Sequence, residues 1–109
     1  MTRYQQQARE TLRQVRTTVH SDLAYPWTVA AMADLAHLSA SRFTAIYTEL
    51  FGASPLDDLI DSRIKHACTL LDQTSFTIEN IAALCGFNTP AHFSRLFRKR
   101  MGCPPGRYR

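Results

Sequence analysis

The chain has 109 residues, enough for one modest domain or two very small units, and its 45% hydrophobic and 20% charged content excludes a disordered polymer. A net charge of +4 and a pI near 9.3 permit an anionic partner such as nucleic acid without requiring one. No signal peptide or bilayer-spanning apolar run is present, and Cys68, Cys85 and Cys103 show neither C-x-x-C spacing nor a zinc-type interval to histidine, so a reduced, cytoplasmic, metal-free protein is expected.

Taken in order, residues 4–20 are predicted as a helix with Leu12, Val15 and Val19 as its inner stripe and Arg3, Arg9, Arg13 and Arg16 solvated around it. The Tyr25-Pro26-Trp27 corner ends that segment, because residues before proline avoid the helical region, and Trp27 is expected to anchor the corner. Thr28 then caps a helix from Val29 to about Ala36. The turn His37-Leu38-Ser39 leads into a helix from Ala40 to Phe51. Its expected inner residues are Phe43, Ile46, Tyr47 and Leu50, and its outer ones are Ser41, Arg42, Thr44, Ala45 and Thr48.

Ser54-Pro55 followed by Asp57 and Asp58 reads as a cap, a proline in the first turn and acidic side chains favoured by the helix dipole. The helix is expected to run to about Asp72, with Leu59, Ile60, Ile64, Ala67, Leu70 and Leu71 as its apolar face and Arg63 as an ion-pair or cap partner. About 18 helical residues span roughly 27 Å, against the roughly 34 Å recurrence of the major groove on one face of B-DNA. From Ser75 onward, Ile78, Ile81, Ala82 and Cys85 form a short helical stripe that Gly86 breaks. Thr89-Pro90 opens a last long helix whose inner face is Phe93, Leu96, Phe97 and Met101, leaving Ala91, Ser94, Arg95, Arg98 and Lys99 outward.

The two halves match. Thr28 aligns with Thr77, Met32 with Ile81, Ala33 with Ala82, Leu35 with Leu84 and Leu38 with Phe87. After the turn the register slips by one residue, and Phe43, Tyr47, Gly52 and Pro55 align with Phe93, Phe97, Gly102 and Pro105. His37 falls on the position of Gly86, so backbone strain is expected there. Each copy is a short helix, a tight turn and a second helix with an exposed edge, which is the helix-turn-helix layout, and neither copy buries a core alone. From Asn80 onward there are six Lys/Arg and no Asp or Glu, so the positive field lies in the second copy.

These residues carry a resemblance. Ile81 to Arg109, together with S-P-L-x-x-L-I-x-x-R-I-x-x-A-x-x-L-L from Ser54 to Leu71, resembles the DNA-binding domain of the AraC/XylS family of bacterial transcription regulators, over about Trp27 to Arg109. The resemblance implies an all-α fold of about seven helices: a first helix-turn-helix unit over 1–53, a linker helix over 54–73 and a second unit over 74–109. It implies sequence-specific binding of double-stranded promoter DNA, with RNA polymerase as a further partner. By position, the base-reading faces are Ser41, Thr44 and Ala45 in the first unit and Pro90, Ala91, Ser94 and Arg95 in the second. Arg42, Thr48, Arg98 and Lys99 complete the expected interface. The chain departs from the family at Ala45, where arginine is frequent, at Thr48-Glu49, where basic residues are usual, and at His37, where glycine is common. Many members add a sensing domain, and none lies within these 109 residues, so no cofactor or small-molecule effector is expected.

Other classes fit less well. An enzyme needs a convergent acid, base or nucleophile set, and the histidines are scattered. A fusion to a zinc-bound methyl-acceptor module needs a cysteine cluster. A protein-interaction module or anti-regulator that has lost DNA binding is the alternative, supported by the charge-poor first recognition helix.

Overall fold

Hydroxyl side chains set the helix starts. Thr2, Thr28, Ser39, Thr77 and Thr89 all have extended backbone, and each accepts a hydrogen bond from the backbone N–H three residues on. Ser54 does the same for the N–H of Asp57, at 3.2 Å. In this computed structural model, residues Thr2–Arg109 are described. The helices are α1 (Arg3–His20), α2 (Val29–Leu35), α3 (Ala40–Phe51), α4 (Pro55–Gln73), α5 (Ile78–Leu84), α6 (Pro90–Met101) and α7 (Pro105–Tyr108). The fold is all-α, with no strand among the described residues.

The chain divides into two compact units. The first comprises the residues up to Asp22 and Trp27–Leu59; the second comprises Leu23–Pro26 and Ile60–Arg109. The boundary falls inside α4, whose first turn belongs to the first unit and whose remainder belongs to the second. In the first unit Leu12, Val15 and Val19 of α1 are buried, as are Met32 and Ala33 of α2, Phe43 and Tyr47 of α3, and Leu59. In the second, Ile64, Ala67 and Leu71 of α4 pack with Ile81, Ala82, Cys85, Phe87, Phe93 and Phe97. The rings of Phe87 and Phe93 lie 5.0 Å apart, and those of Phe93 and Phe97 5.6 Å apart. Burial of this kind is worth about 1.5–3 kcal/mol for each large side chain.

The duplication is visible in the backbone. Gly52 and Gly102 end α3 and α6 in left-handed geometry, and Pro55 and Pro105 are both fully buried. The one-residue slip is Asn88, which separates Phe87 from the cap Thr89, whereas Leu38 is followed directly by the cap Ser39.

Some expectations are corrected. Met101 is 40% exposed, because it lies in the last turn of α6, past the ring stack. Ile46 and Leu50 are half-buried rather than fully inside, and Leu96 is half-buried but packed against the core of the second unit as expected. Cys85 is fully buried, and Cys68 is half-buried against the same core. Arg63 makes backbone hydrogen bonds instead of an ion pair: Nε donates to the carbonyl of Leu23 and Nη2 to that of Tyr25, each at 2.9 Å. Two α1 arginines are engaged across helices rather than solvated, Arg9 with Glu49 and Arg16 with Asp58.

Candidate nucleic-acid interface

Each second helix of a copy is fixed on its inner side and open on its outer side. In α3 the cap Ser39 and the buried rings of Phe43 and Tyr47 set the helix rotation, and the helical period then turns Ser41, Arg42, Ala45 and Thr48 outward. Thr44 is half-buried. Thr48 donates its hydroxyl to the carbonyl of Thr44 at 2.8 Å, which leaves it an acceptor oxygen and a methyl group. In α6 the cap Thr89, Pro90 in the first turn and the fully buried Phe93 and Phe97 do the same work. Pro90, Ala91, Arg95, Arg98 and Lys99 are exposed, and Ser94, the counterpart of Thr44, is half-buried.

The two faces differ in charge. Arg98, Lys99 and Arg100 fill the last turn of α6, where the helix dipole favours cations. Arg100 lies 3.8 Å from Asp61, whereas Arg98 and Lys99 project from the helix exposed. On α3 Arg42 is the single cation, and the exposed Glu49 lies 3.2 Å from Arg9 of α1.

The supports beneath the two helices also differ, and sequence reasoning missed them. Tyr47 donates its hydroxyl to Asp58 in the first turn of α4. Arg16 grips the same carboxylate, Nε donating at 2.8 Å and Nη2 at 3.2 Å, while its guanidinium lies 5.2 Å from the ring centroid of Phe51. Burial alone would raise the Asp58 carboxyl, but the bonds from Arg16 and Tyr47 outweigh it and hold that group below the usual carboxylate range. Burial raises the Tyr47 hydroxyl, and its bond to Asp58 raises it further. His20 lies 3.6 Å from Asp58, yet its burial and the neighbouring Arg16 charge lower it. At neutral pH the pair is therefore a neutral imidazole beside a carboxylate. In the second unit, Phe97 replaces Tyr47 and Tyr108 stands at the position of Asp58, and the rings meet edge to face at 5.5 Å. Arg109 then ties the end of α4 to the following loop. It donates to the carbonyls of Leu71, Thr74 and Phe76 at 3.2, 2.9 and 2.7 Å.

Among the described residues no group of three or more His, Cys, Asp or Glu side chains could hold a metal ion, and no helix is long and apolar enough to cross a membrane.

Residues 32–109 match the family described as a helix-turn-helix domain. The chain is 38% identical over 79 residues to the HTH-type transcriptional regulator GlxA of Rhizobium meliloti, covering 72% of this chain and 24% of that protein. It is 30% identical over 91 residues to the HTH-type transcriptional regulator AlkR of Acinetobacter baylyi, covering 84% and 30%. The chain thus spans about a third or less of the length of the curated relatives it matches. Among solved structures it resembles the DNA-binding domain of AdpA, a global transcriptional factor crystallised in complex with a target DNA. That likeness has a TM-score of 0.88 at 28% identity, covering 90% of this chain and 88% of that one. The C-terminal domain of AraT, a response regulator from Geobacillus stearothermophilus, superposes with a TM-score of 0.87 at 27% identity, covering 91% and 83%. This is a family of DNA-binding regulators rather than enzymes. A doubled helix-turn-helix with these relatives has one reading: the chain belongs to the AraC/XylS family, as its DNA-binding domain.

Proposed function

We propose that the chain is the sequence-specific DNA-binding part of a transcription regulator, recognising double-stranded promoter DNA by placing residues 40–51 and 90–100 in adjacent major grooves. The reading is supported above all by the repeated geometry. Two helices of equal length share a hydroxyl cap, an inner aromatic pair and a left-handed glycine end, and both keep small, polar or basic side chains outward. Such a face admits close approach to base edges in the major groove. The likeness to a domain crystallised with its target DNA supports the same reading. In it, residues 1–53 and 74–109 are the two reading units and 54–73 the helix joining them. The base-edge set is Ser41, Arg42, Thr44, Ala45 and Thr48 together with Pro90, Ala91, Ser94 and Arg95, while Arg98 and Lys99 hold phosphate. RNA polymerase at the bound promoter is the second partner, the compartment is the cytoplasm, and no small-molecule effector takes part in this chain's own DNA binding.

Selection of bound sequences from a random duplex pool tests the reading and supplies the site. On the selected duplex, Arg95→Ala is expected to cost about 1–3 kcal/mol and to relax preference at one base pair. Recovery of no preferred sequence would refute the proposal. Uniform weakening on all sequences would move Arg95 from base reading to phosphate contact.

A further inference from the structure

The four arginines of α1 are not equivalent. Arg16 is committed to Asp58 through two hydrogen bonds. Arg13 lies 3.7 Å from Glu10 on its own helix, with both side chains more than half exposed. Arg9 instead reaches across to α3, where its Nη2 meets Glu49 at 3.2 Å. That pair is lopsided, since Arg9 is 26% exposed and Glu49 is 74% exposed. It flanks an open groove of about 360 Å³, whose walls include Tyr4, Gln5 and Arg9 of α1 and Arg42, Ile46 and Glu49 of α3. On α3 these three follow the i, i+4, i+7 pattern, which makes one flank of the helix. Ser41, Ala45 and Thr48 lie beside that flank, on the proposed reading face.

A helix reading the major groove has the sugar-phosphate backbone along its sides, and phosphate contacts fix its register. The groove between α1 and α3 borders the proposed reading face of α3. It holds two arginines, one on each wall, and a carboxylate that repels phosphate. We propose that this groove is a seat for the DNA backbone in the first unit, in which Arg9 leaves Glu49 to join Arg42 on a phosphodiester. An ion pair with one partner so exposed is weak and screened by salt, so a phosphate can displace the carboxylate, and the freed Glu49 is already largely hydrated. The inference rests on the DNA-binding reading above. It gives the charge-poor first recognition helix a second cation beside Arg42, supplied by α1.

The test is the affinity of the full chain for its selected duplex, measured against salt, for wild type, Arg9→Gln, Glu49→Gln and the double variant, with the thermal midpoint of each. Arg9→Gln is expected to weaken binding several-fold and to flatten the plot of log affinity against log salt by about 0.9. Glu49→Gln is expected to tighten binding several-fold, with the gain largely lost in the double variant. If the pair only fastens α1 to α3, both single substitutions lower the thermal midpoint, neither tightens binding, and the slope stays at its wild-type value; that result overturns the proposal. A Glu49→Gln gain that persists in full without Arg9 also overturns it, because simple relief of repulsion then accounts for the gain. Inorganic phosphate added to the protein alone separates a free-anion site from a backbone seat: an Arg9-dependent rise in thermal midpoint at millimolar phosphate overturns the assignment to DNA. If wild type shows no salt-dependent duplex binding, the broader reading fails as well, and the two failures are thereby distinguished.

Discussion

The turn between the two helices of each copy puts one residue at positive φ, and the two copies fill that place differently. In the second copy it is Gly86 at φ 89°, and in the first it is His37 at φ 57°. A Cβ on Gly86 would meet the carbonyl oxygen of Leu23 at 2.2 Å and Nε of Arg63 at 2.7 Å. Glycine is therefore required twice over, by backbone conformation and by the loop that Arg63 holds against the turn. Arg63 is buried, and its burial lowers it, yet its fork donates to the carbonyls of both Leu23 and Tyr25. His37 is exposed, and a left-handed conformation costs it about 1–2 kcal/mol. His37→Gly should relieve that strain but add about 0.5–1 kcal/mol of unfolded-state entropy cost, for a net gain of at most about 1.5 kcal/mol. Gly86→Ala should lose about 1–2 kcal/mol from conformation alone, and more from the two close contacts. Urea unfolding of both variants checks the contrast, and equal effects at the two positions would contradict the role given to the Leu23 carbonyl. The strain at His37 was legible in the sequence from its alignment with Gly86. The Arg63 clamp was not, because its acceptors are backbone carbonyls, which no residue pattern marks.

At the scale of the element, α3 and α6 share shape but not charge. Residues 40–51 hold one basic and one acidic side chain, whereas residues 90–100 hold four basic and none acidic. Counterion release on DNA binding should therefore come mainly from α6. Neutralising Arg98 and Lys99 together is expected to flatten the salt slope by up to about two, and Ala45→Arg to raise affinity on many sequences and steepen it by about one. Affinity against salt on specific and random duplexes checks both, and a wild-type slope in the Arg98/Lys99 variant would refute α6 as the electrostatic anchor. Helix starts, the repeat and the outward faces were legible because caps, proline and the 3.6-residue period are local signals. What was not legible is how each helix is supported. Arg16 and Asp58 lie 42 positions apart, as the bonds between them record, and Arg109 and Leu71 lie 38 apart. Pairings at such separations are created by the fold, and a lone arginine or aspartate does not announce its partner. The half-burial of Thr44 and Ser94 was missed for a related reason, since each follows a buried phenylalanine and sits at the edge of the stripe.

Across the whole molecule, equivalent positions are polar in one unit and aromatic in the other, so acid should act on the two units unequally. In the first unit the Asp58 carboxyl is held low by Arg16 and Tyr47 against its burial, and His20 is lowered by burial and by Arg16. A group whose folded value is depressed adds stability above its unfolded value, and that stability is lost as pH falls. For His20 the loss begins below its ordinary 6.5, and for Asp58 it begins below its ordinary 3.8 and continues down to the depressed folded value. In the second unit the shifted groups titrate on the alkaline side. Burial pushes the Cys85 thiol up to about 12 and also raises Cys68, while Phe97 and Tyr108 meet through rings where the first unit has Tyr47 and Asp58. The single tryptophan, Trp27, belongs to the first unit and donates its indole N–H to the carbonyl of Asp22 at 2.8 Å, so its fluorescence reports that unit, while far-ultraviolet dichroism reports the helices of both units. On lowering pH, the Trp27 transition is expected at higher pH than the midpoint of helix loss. Asp58→Asn should remove much of the dependence below about pH 4, although it also lowers stability at neutral pH by leaving Arg16 without its carboxylate. Coincident transitions in wild type, or an unchanged acid limb in the Asp58→Asn variant, would show that the cluster around Asp58 does not govern the acid stability of the first unit.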